Sequence, residues 1–261
     1  MPVDKALMDS LPTVGMILIA GGIGAGKSCL AYGIVEEHHL ADPAREVFAF
    51  NFPHQKAHLL PDWMTVTYDE EFPDGSLVIA DEAYFAFFAK DHSNELNRFM
   101  EKFAGLARQK GILTLFITQA TRKLTIAQVA GAQALLVKRP DIMMAKLDRA
   151  ELRSTMQDAL GEFRKLDDAG MERATYAVTL RHEGLMEDTN SPPSFWSEDL
   201  SRAWEGVSLT EPTPSSVSHV ICKRCKEDKQ DFFDSGYCQE CWQKREARRA
   251  VLRQAKKAMR N

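Results

Sequence analysis

No stretch of the 261 residues approaches the roughly 18 consecutive apolar positions that a membrane-crossing helix needs. The amino terminus, MPVDKALMDSLPTVG, places acidic residues before any apolar run and has no small-residue cleavage site, so no secretory leader is expected. Cysteine is scarce: five in all, too few for a dense disulfide framework. Four of them fall in two CxxC pairs, Cys222/Cys225 and Cys238/Cys241, and Cys29 stands alone. In a reducing compartment such pairs read as metal ligands before disulfides, and a cytoplasmic protein is expected. What is present is ordinary globular material, 44% apolar and 27% charged. That length accommodates one α/β domain with a small appendage.

The net charge of −4 conceals a division. Residues 220–261 hold twelve Lys/Arg against six Asp/Glu, a surplus of +6, so the first 219 residues carry −10. An acidic body with a basic end points to a tail that meets a polyanion or an acidic partner, although a solvated helix face would look the same.

Met16–Ala20 is a short apolar run of the kind that forms a buried parallel strand. It leads into Gly21-Gly-Ile-Gly-Ala-Gly-Lys-Ser28, a complete GxxxxGK[ST] pattern, and Cys29–Glu37 continues with helical spacing. Strand, glycine loop and helix in that order make a phosphate cradle. Gly21, Gly22, Gly24, Ala25, Gly26 and Cys29 supply backbone around the phosphates, at a helix start that favours anions. Lys27 reaches the β- and γ-phosphates of ATP, and the Ser28 hydroxyl ligates Mg²⁺. A second buried run, Ser76–Ala80, ends in Asp81-Glu82, and a third, Gly111–Ile117, ends in Thr118-Gln119.

The Asp81-Glu82 pair resembles a Walker B element. That resemblance makes Asp81 a Mg²⁺ partner through water and Glu82 the base that activates the attacking water; an Asp-Glu pair capping a helix is the plainer alternative. The Thr-Gln strand end resembles the polar sensor of P-loop ATPases with an extra strand between the Walker strands, and Gln119 is the sensor candidate. From Walker A through Asp-Glu-Ala and Arg-Gln-Lys-Gly to Ile-Thr-Gln, roughly residues 14–139, the chain resembles the FtsK/HerA superfamily. Within it, the compact genome-packaging ATPases of tailless, membrane-containing viruses are most similar. The zonula-occludens-toxin-type ATPases of filamentous phages are also similar, but they carry a membrane span that this chain lacks. The resemblance implies a ring of five or six subunits that threads double-stranded DNA without reading its sequence, in the host cytoplasm or on the virion. It also implies an arginine finger from a neighbouring subunit, with Arg108 the first candidate and Arg122 the second. Lys123, Lys138, Arg139 and Lys146 are the candidate DNA-gripping residues of the pore.

In the tail, Cys222, Cys225, Cys238 and Cys241 can supply a closed tetrahedral Cys₄ zinc site of the structural type. Too little core surrounds them to fold without metal. The text CKRCKEDKQDFFDSGYCQECW resembles treble-clef fingers, with Phe232 and Phe233 as a miniature core. The helix beyond carries a thin apolar stripe and many basic residues, which suits DNA backbone or a capsid or vertex protein. The expected division is an ATPase domain over 1–208, a Pro/Ser linker over 209–219, the finger over 220–243 and a basic helical tail over 244–261.

Two other functions fit parts of the pattern. Asp81-Glu-Ala-Tyr-Phe85 and the paired CxxC motifs are also similar to zinc-bearing thymidine kinases, in which Glu82 would be the base on a nucleoside hydroxyl. A switch ATPase that moves no DNA is the third reading. The expected fold is a three-layer α/β sandwich with a mainly parallel sheet, its strands at 15–20, 46–50, 64–68, 76–80, 112–118 and 134–138. Residues 174–181 read as an edge or hairpin strand, 145–168 as one helix and 195–204 as a closing helical segment. His38, His39, His54 and His58 read as surface residues.

Overall fold

The computed structural model describes residues 3–68, 71–81, 107–119 and 126–206, with positions 220, 221, 224, 225, 228, 229, 238, 241, 244 and 245 of the C-terminal region. Eight strands among these form one sheet: β1 (Gly15–Gly21), β2 (Val47–Phe50), β3 (Met64–Thr67), β4 (Leu77–Ala80), β5 (Leu113–Thr118), β6 (Ala134–Lys138), β7 (Thr175–Thr179) and β8 (Glu183–Met186). Their spatial order is β3-β2-β4-β5-β1-β6-β7-β8. The first six run parallel, and β7 and β8 join antiparallel as a hairpin at one edge. Every position of β1 and β5 is buried, as the unbroken apolar runs require of strands covered on both faces.

Alternation along the strands sorts the core into two layers. Ile17, Ile19, Leu113, Leu115 and Ile117 face one core with Leu30, Ala31 and Ile34 of helix α2 (Lys27–Ala41) and Leu7 of α1 (Lys5–Ser10). Met16, Leu18, Ala20 and Phe116 face the other. There they meet Leu152, Met156, Ala159 and Phe163, which line one face of a helix over Ala150–Phe163 at helical spacing. Three layers result, as expected from the sequence.

The single helix expected over 145–168 is corrected. A short α-helix, Ile142–Leu147, ends at Asp148, where ψ reaches 165°, and the next begins after Arg149, also extended at ψ 156°. The Asp148 carboxylate accepts from the Arg149 N–H at 2.8 Å, a local bond that competes with helix continuation. The segment 195–204 is helical only over Glu198–Ser201, started by the Ser197 hydroxyl accepting from the Leu200 N–H.

The histidines are a second correction. His54 is buried, and His39 stacks on Trp63 with ring centroids 4.1 Å apart. Burial, helped by the Arg45 charge, pushes His38 down to about 4, so it is neutral at physiological pH. His38 and His39 are half-buried, the latter under the Trp63 ring just before β3, and no local pattern announces either this or the burial of His54.

In the C-terminal region Val220–Ile221 and Asp228–Lys229 pair antiparallel. The first of them lies against the 3₁₀ turn His54–Leu59. Arg245 is buried and donates to the Thr65 hydroxyl on β3, the edge strand.

Candidate functional site

The parallel strands β1, β4 and β5 all end at one edge of the sheet, and the chemistry-bearing residues follow those ends. β5 lies between β1 and β4, the extra strand that the polar strand end Thr118-Gln119 anticipated. The register sets Ala20 beside Thr118 and Ala80 beside Phe116. Gly21, Asp81 and Gln119, each at or just past a strand end, therefore share one edge. Thr118 and Asp81 are buried and Gln119 is exposed.

The loop from Gly21 to Lys27 turns back over β1. Gly26 has φ +83°, a left-handed conformation that side-chain-bearing residues rarely adopt. It caps α2 with no side-chain hydrogen bond, leaving the first N–H groups of a 15-residue helix for an anion. The Ala25 N–H donates to the Gly22 carbonyl at 3.3 Å, and the buried Lys27 amine donates to that same carbonyl at 2.8 Å. An uncapped helix start, a closed glycine loop and an inward lysine fit a nucleotide's phosphates. Ser28 lies at the first turn of α2, and Asp81 just past the end of β4.

Tyr32 lies one helical turn beyond Ser28. Its ring packs edge-on to Phe195 at 5.9 Å, and its hydroxyl is buried with no hydrogen-bond partner among the described residues. Burial first, and the field of Asp81 second, hold the phenol well above its ordinary range, so Tyr32 stays neutral beside the acid strand end.

Two residues that sequence reasoning did not connect with the loop back it from behind. A Cβ on Gly26 would fall 2.5 Å from the Asn190 amide nitrogen, and one on Gly21 would fall 2.1 Å from the Lys138 carbonyl oxygen. Asn190 carried no signal at all, because nothing local connects it with the loop. Lys138 does carry one: a charged residue ending an apolar strand run.

Lys138 is corrected as a DNA-gripping candidate. It is fully buried, and its amine donates to the carbonyls of Glu172 at 2.9 Å and Ala174 at 2.5 Å. Burial pushes it down to about 7; the fields of Cys29 and Glu172 resist that shift, and the Arg139 charge adds to it. Cys29, under the start of α2, is likewise buried, and its thiol is pushed up to about 11, so it is an inert packing group. Lys146 is exposed and Arg139 is half-buried.

Arg108 is exposed in a helical turn just before β5, at the opposite edge of the sheet from the loop. Six strand residues at about 3.3 Å each separate the two edges by roughly 20 Å, so Arg108 cannot reach the loop of its own chain. Glu82, Arg122, Lys123, Cys222, Phe232 and Phe233 lie outside the described residues, as do the linker and most of the basic tail.

At the C-terminal end, the sulfurs of Cys225, Cys238 and Cys241 lie within 4.8 Å of one another. The Cys225–Cys238 pair is 4.0 Å apart. A tetrahedron with Zn–S bonds of about 2.3 Å has S···S edges of about 3.8 Å, whereas a disulfide would need about 2.05 Å. The three thiols fit zinc.

No protein-family model matches the chain, and neither does any curated protein sequence. Solved structures do. The chain is similar to the conjugation coupling protein TcpA of pCW3, solved with ATPγS, at 12% identity and a TM-score of 0.50, over 73% of this chain and 70% of that one. It is also similar to B204, the DNA-packaging ATPase of Sulfolobus turreted icosahedral virus, at 14% identity and a TM-score of 0.48, over 69% of this chain and 98% of that one. A KaiC-like protein of Pyrococcus horikoshii matches at 13% identity and a TM-score of 0.35, over 52% of this chain and 81% of that one. The likeness to TcpA shows a shared fold: a mainly parallel sheet with helices on both faces.

Proposed function

We propose that this chain hydrolyses ATP to translocate double-stranded DNA, as the genome-packaging motor of a virus. The observation that carries the ATPase reading is the shared sheet edge, where the glycine loop, Asp81 and the polar end of β5 converge with β5 inserted between the other two strands. The DNA reading leans on the order of the motifs, on the fold shared with a coupling protein, and on the basic tail.

In this reading the loop N–H groups and Lys27 bind the β- and γ-phosphates, and Ser28 and Asp81 hold Mg²⁺, which neutralises charge between those phosphates. Glu82 orients and deprotonates the attacking water, and Gln119 contacts the γ-phosphate from the neighbouring strand end. Arg108, at the end of β5 far from its own loop, serves as the finger for the loop of a neighbouring subunit in a ring of five or six chains. Cys222 joins Cys225, Cys238 and Cys241 as the fourth ligand of a structural zinc ion. The chain then divides into an ATPase domain (1–208), a linker (209–219), the finger (220–243) and a basic tail (244–261) that contacts DNA or a capsid or vertex protein. It works in the host cytoplasm and on the assembling virion.

The test is the ATPase rate with and without double-stranded DNA, with thymidine as the alternative additive. Stimulation by DNA, lost in Lys27→Ala, is expected. Phosphorylation of thymidine would replace the motor with a nucleoside kinase. Turnover indifferent to both additives would leave a switch ATPase.

A further inference from the structure

One irregular segment, Thr189–Trp196, runs along the helix that carries the phosphate loop. Asn190 lies behind Gly26, and the Ser191 carbonyl would stand 3.2 Å from a Cβ on Gly33. The Glu36 carboxylate accepts from the Ser194 N–H at 2.9 Å and from the Ser194 hydroxyl. Phe195 and Trp196 pack on Tyr32 with centroids 5.9 and 6.2 Å away. The start of the segment is tied down as well: Thr189 is buried and donates to the Arg173 carbonyl at 2.9 Å, and the Asn190 N–H donates to the same carbonyl at 3.0 Å.

Both hinges of the loop are backed by groups that meet on one atom. At the first, Gly21 lies against the Lys138 carbonyl, and the Lys138 amine donates to the Glu172 carbonyl at 2.9 Å. At the second, Gly26 lies against the Asn190 amide, whose nitrogen donates to that same Glu172 carbonyl at 3.2 Å. This bond fixes which end of the amide is nitrogen. The amide oxygen is buried and has no partner among the described residues.

We propose that Asn190 is a positioning residue for the phosphate-binding loop: its amide, held by the Glu172 carbonyl, sets Gly26 from behind and keeps the loop N–H groups in their phosphate-binding arrangement before nucleotide arrives. The proposal rests on the nucleotide reading of the loop. A cradle already ordered loses less conformational freedom when it binds, so the brace acts on affinity more than on turnover. Asparagine suits the place because it is neutral. An aspartate of the same shape would face the Glu172 carbonyl with an acceptor and would set a negative charge behind a loop that binds phosphate.

The test compares Asn190→Ala, Asn190→Asp and Ser194→Ala by titration with a fluorescent ATP analogue, with kcat, KM and thermal midpoint measured alongside. Asn190→Ala is expected to weaken nucleotide binding about tenfold, roughly the loss of one hydrogen bond's net worth, with kcat nearly unchanged. Asn190→Asp is expected to weaken it further, by a margin that shrinks as salt rises from about 50 to 500 mM. Ser194→Ala, on the same segment but away from the loop, is expected to bind as the wild type does. Binding within twofold of wild type for both Asn190 variants would overturn the proposal, and so would an equal loss in Ser194→Ala. Wild-type binding that survives Lys27→Ala would instead overturn the nucleotide reading beneath it, and that outcome is recognisable without reference to Asn190.

Discussion

Replacing Lys138 by methionine should change how the stability of the protein depends on pH, and the structure fixes the direction. The amine is fully buried, and burial pushes its pKa from the ordinary 10.5 to about 7. Between those two values the unfolded chain keeps a proton that the native protein has released. The unfolded state thus binds more protons, and native stability rises with pH. Each pH unit inside the window is worth about 1.4 kcal/mol, so from pH 7 to pH 9 the wild type gains about 3 kcal/mol at most. The bonds to the Glu172 and Ala174 carbonyls favour the charged amine and trim that figure. The window closes at pH 9 because Cys29, raised from 9.0 to about 11, ionises first in the unfolded chain and then works against stability. Lys138→Met keeps the chain's length and loses the titration. It also removes the donor to two carbonyls, costing about 1–3 kcal/mol at every pH, softened because Glu172 keeps its bond from Asn190. Urea unfolding of both proteins at pH 7, 8 and 9 measures the difference directly. Wild type should gain on the variant as pH rises. Two stability curves that stay parallel across that range would refute the account of Lys138.

Gly21→Ala should destabilise the fold by about 1–3 kcal/mol and abolish nucleotide binding, since its Cβ would stand 2.1 Å from the Lys138 carbonyl oxygen; a thermal midpoint and a nucleotide titration both matching wild type would contradict this. Glu82→Gln should retain ATP binding while turnover falls at least about 10²-fold, read by single-turnover hydrolysis, and normal turnover would remove Glu82 from its role. Purified protein should carry one zinc per chain by elemental analysis, and Cys238→Ser should lose it. Zinc content unaffected by that change would leave the thiol cluster without a ligand role.

Much of the site was readable in the sequence because it is made locally. A buried strand, a glycine loop and a helix follow one another without interruption, so Gly21–Ser28 needs no distant residue to take its shape. The strand runs ending at Asp81 and Thr118 are equally self-contained, and their edges fall within a residue or two of those expected. The helix break at Asp148 was harder to foresee, since it depends on one side chain competing with the backbone for a hydrogen bond. The histidines were misjudged because what covers them is distant in sequence: the ring stacked on His39 belongs to Trp63.

By itself, the sequence determined the class of the protein. Apolar runs long enough only for buried strands, interrupted by a phosphate loop, allow little other than an α/β nucleotide-binding sheet, and the paired cysteines declare a metal-sized cluster. Only the tertiary structure decided what stands behind that loop. Strand order inserted β5 between the other two strand ends, burial turned Lys138 from a candidate DNA contact into a strut, and the return of the chain after β8 placed Asn190 against Gly26. The reason is range: backbone geometry and hydrophobic alternation act over a few residues and leave their mark in the text. Which distant side chain fills the space behind a glycine is settled only when the whole sheet has assembled.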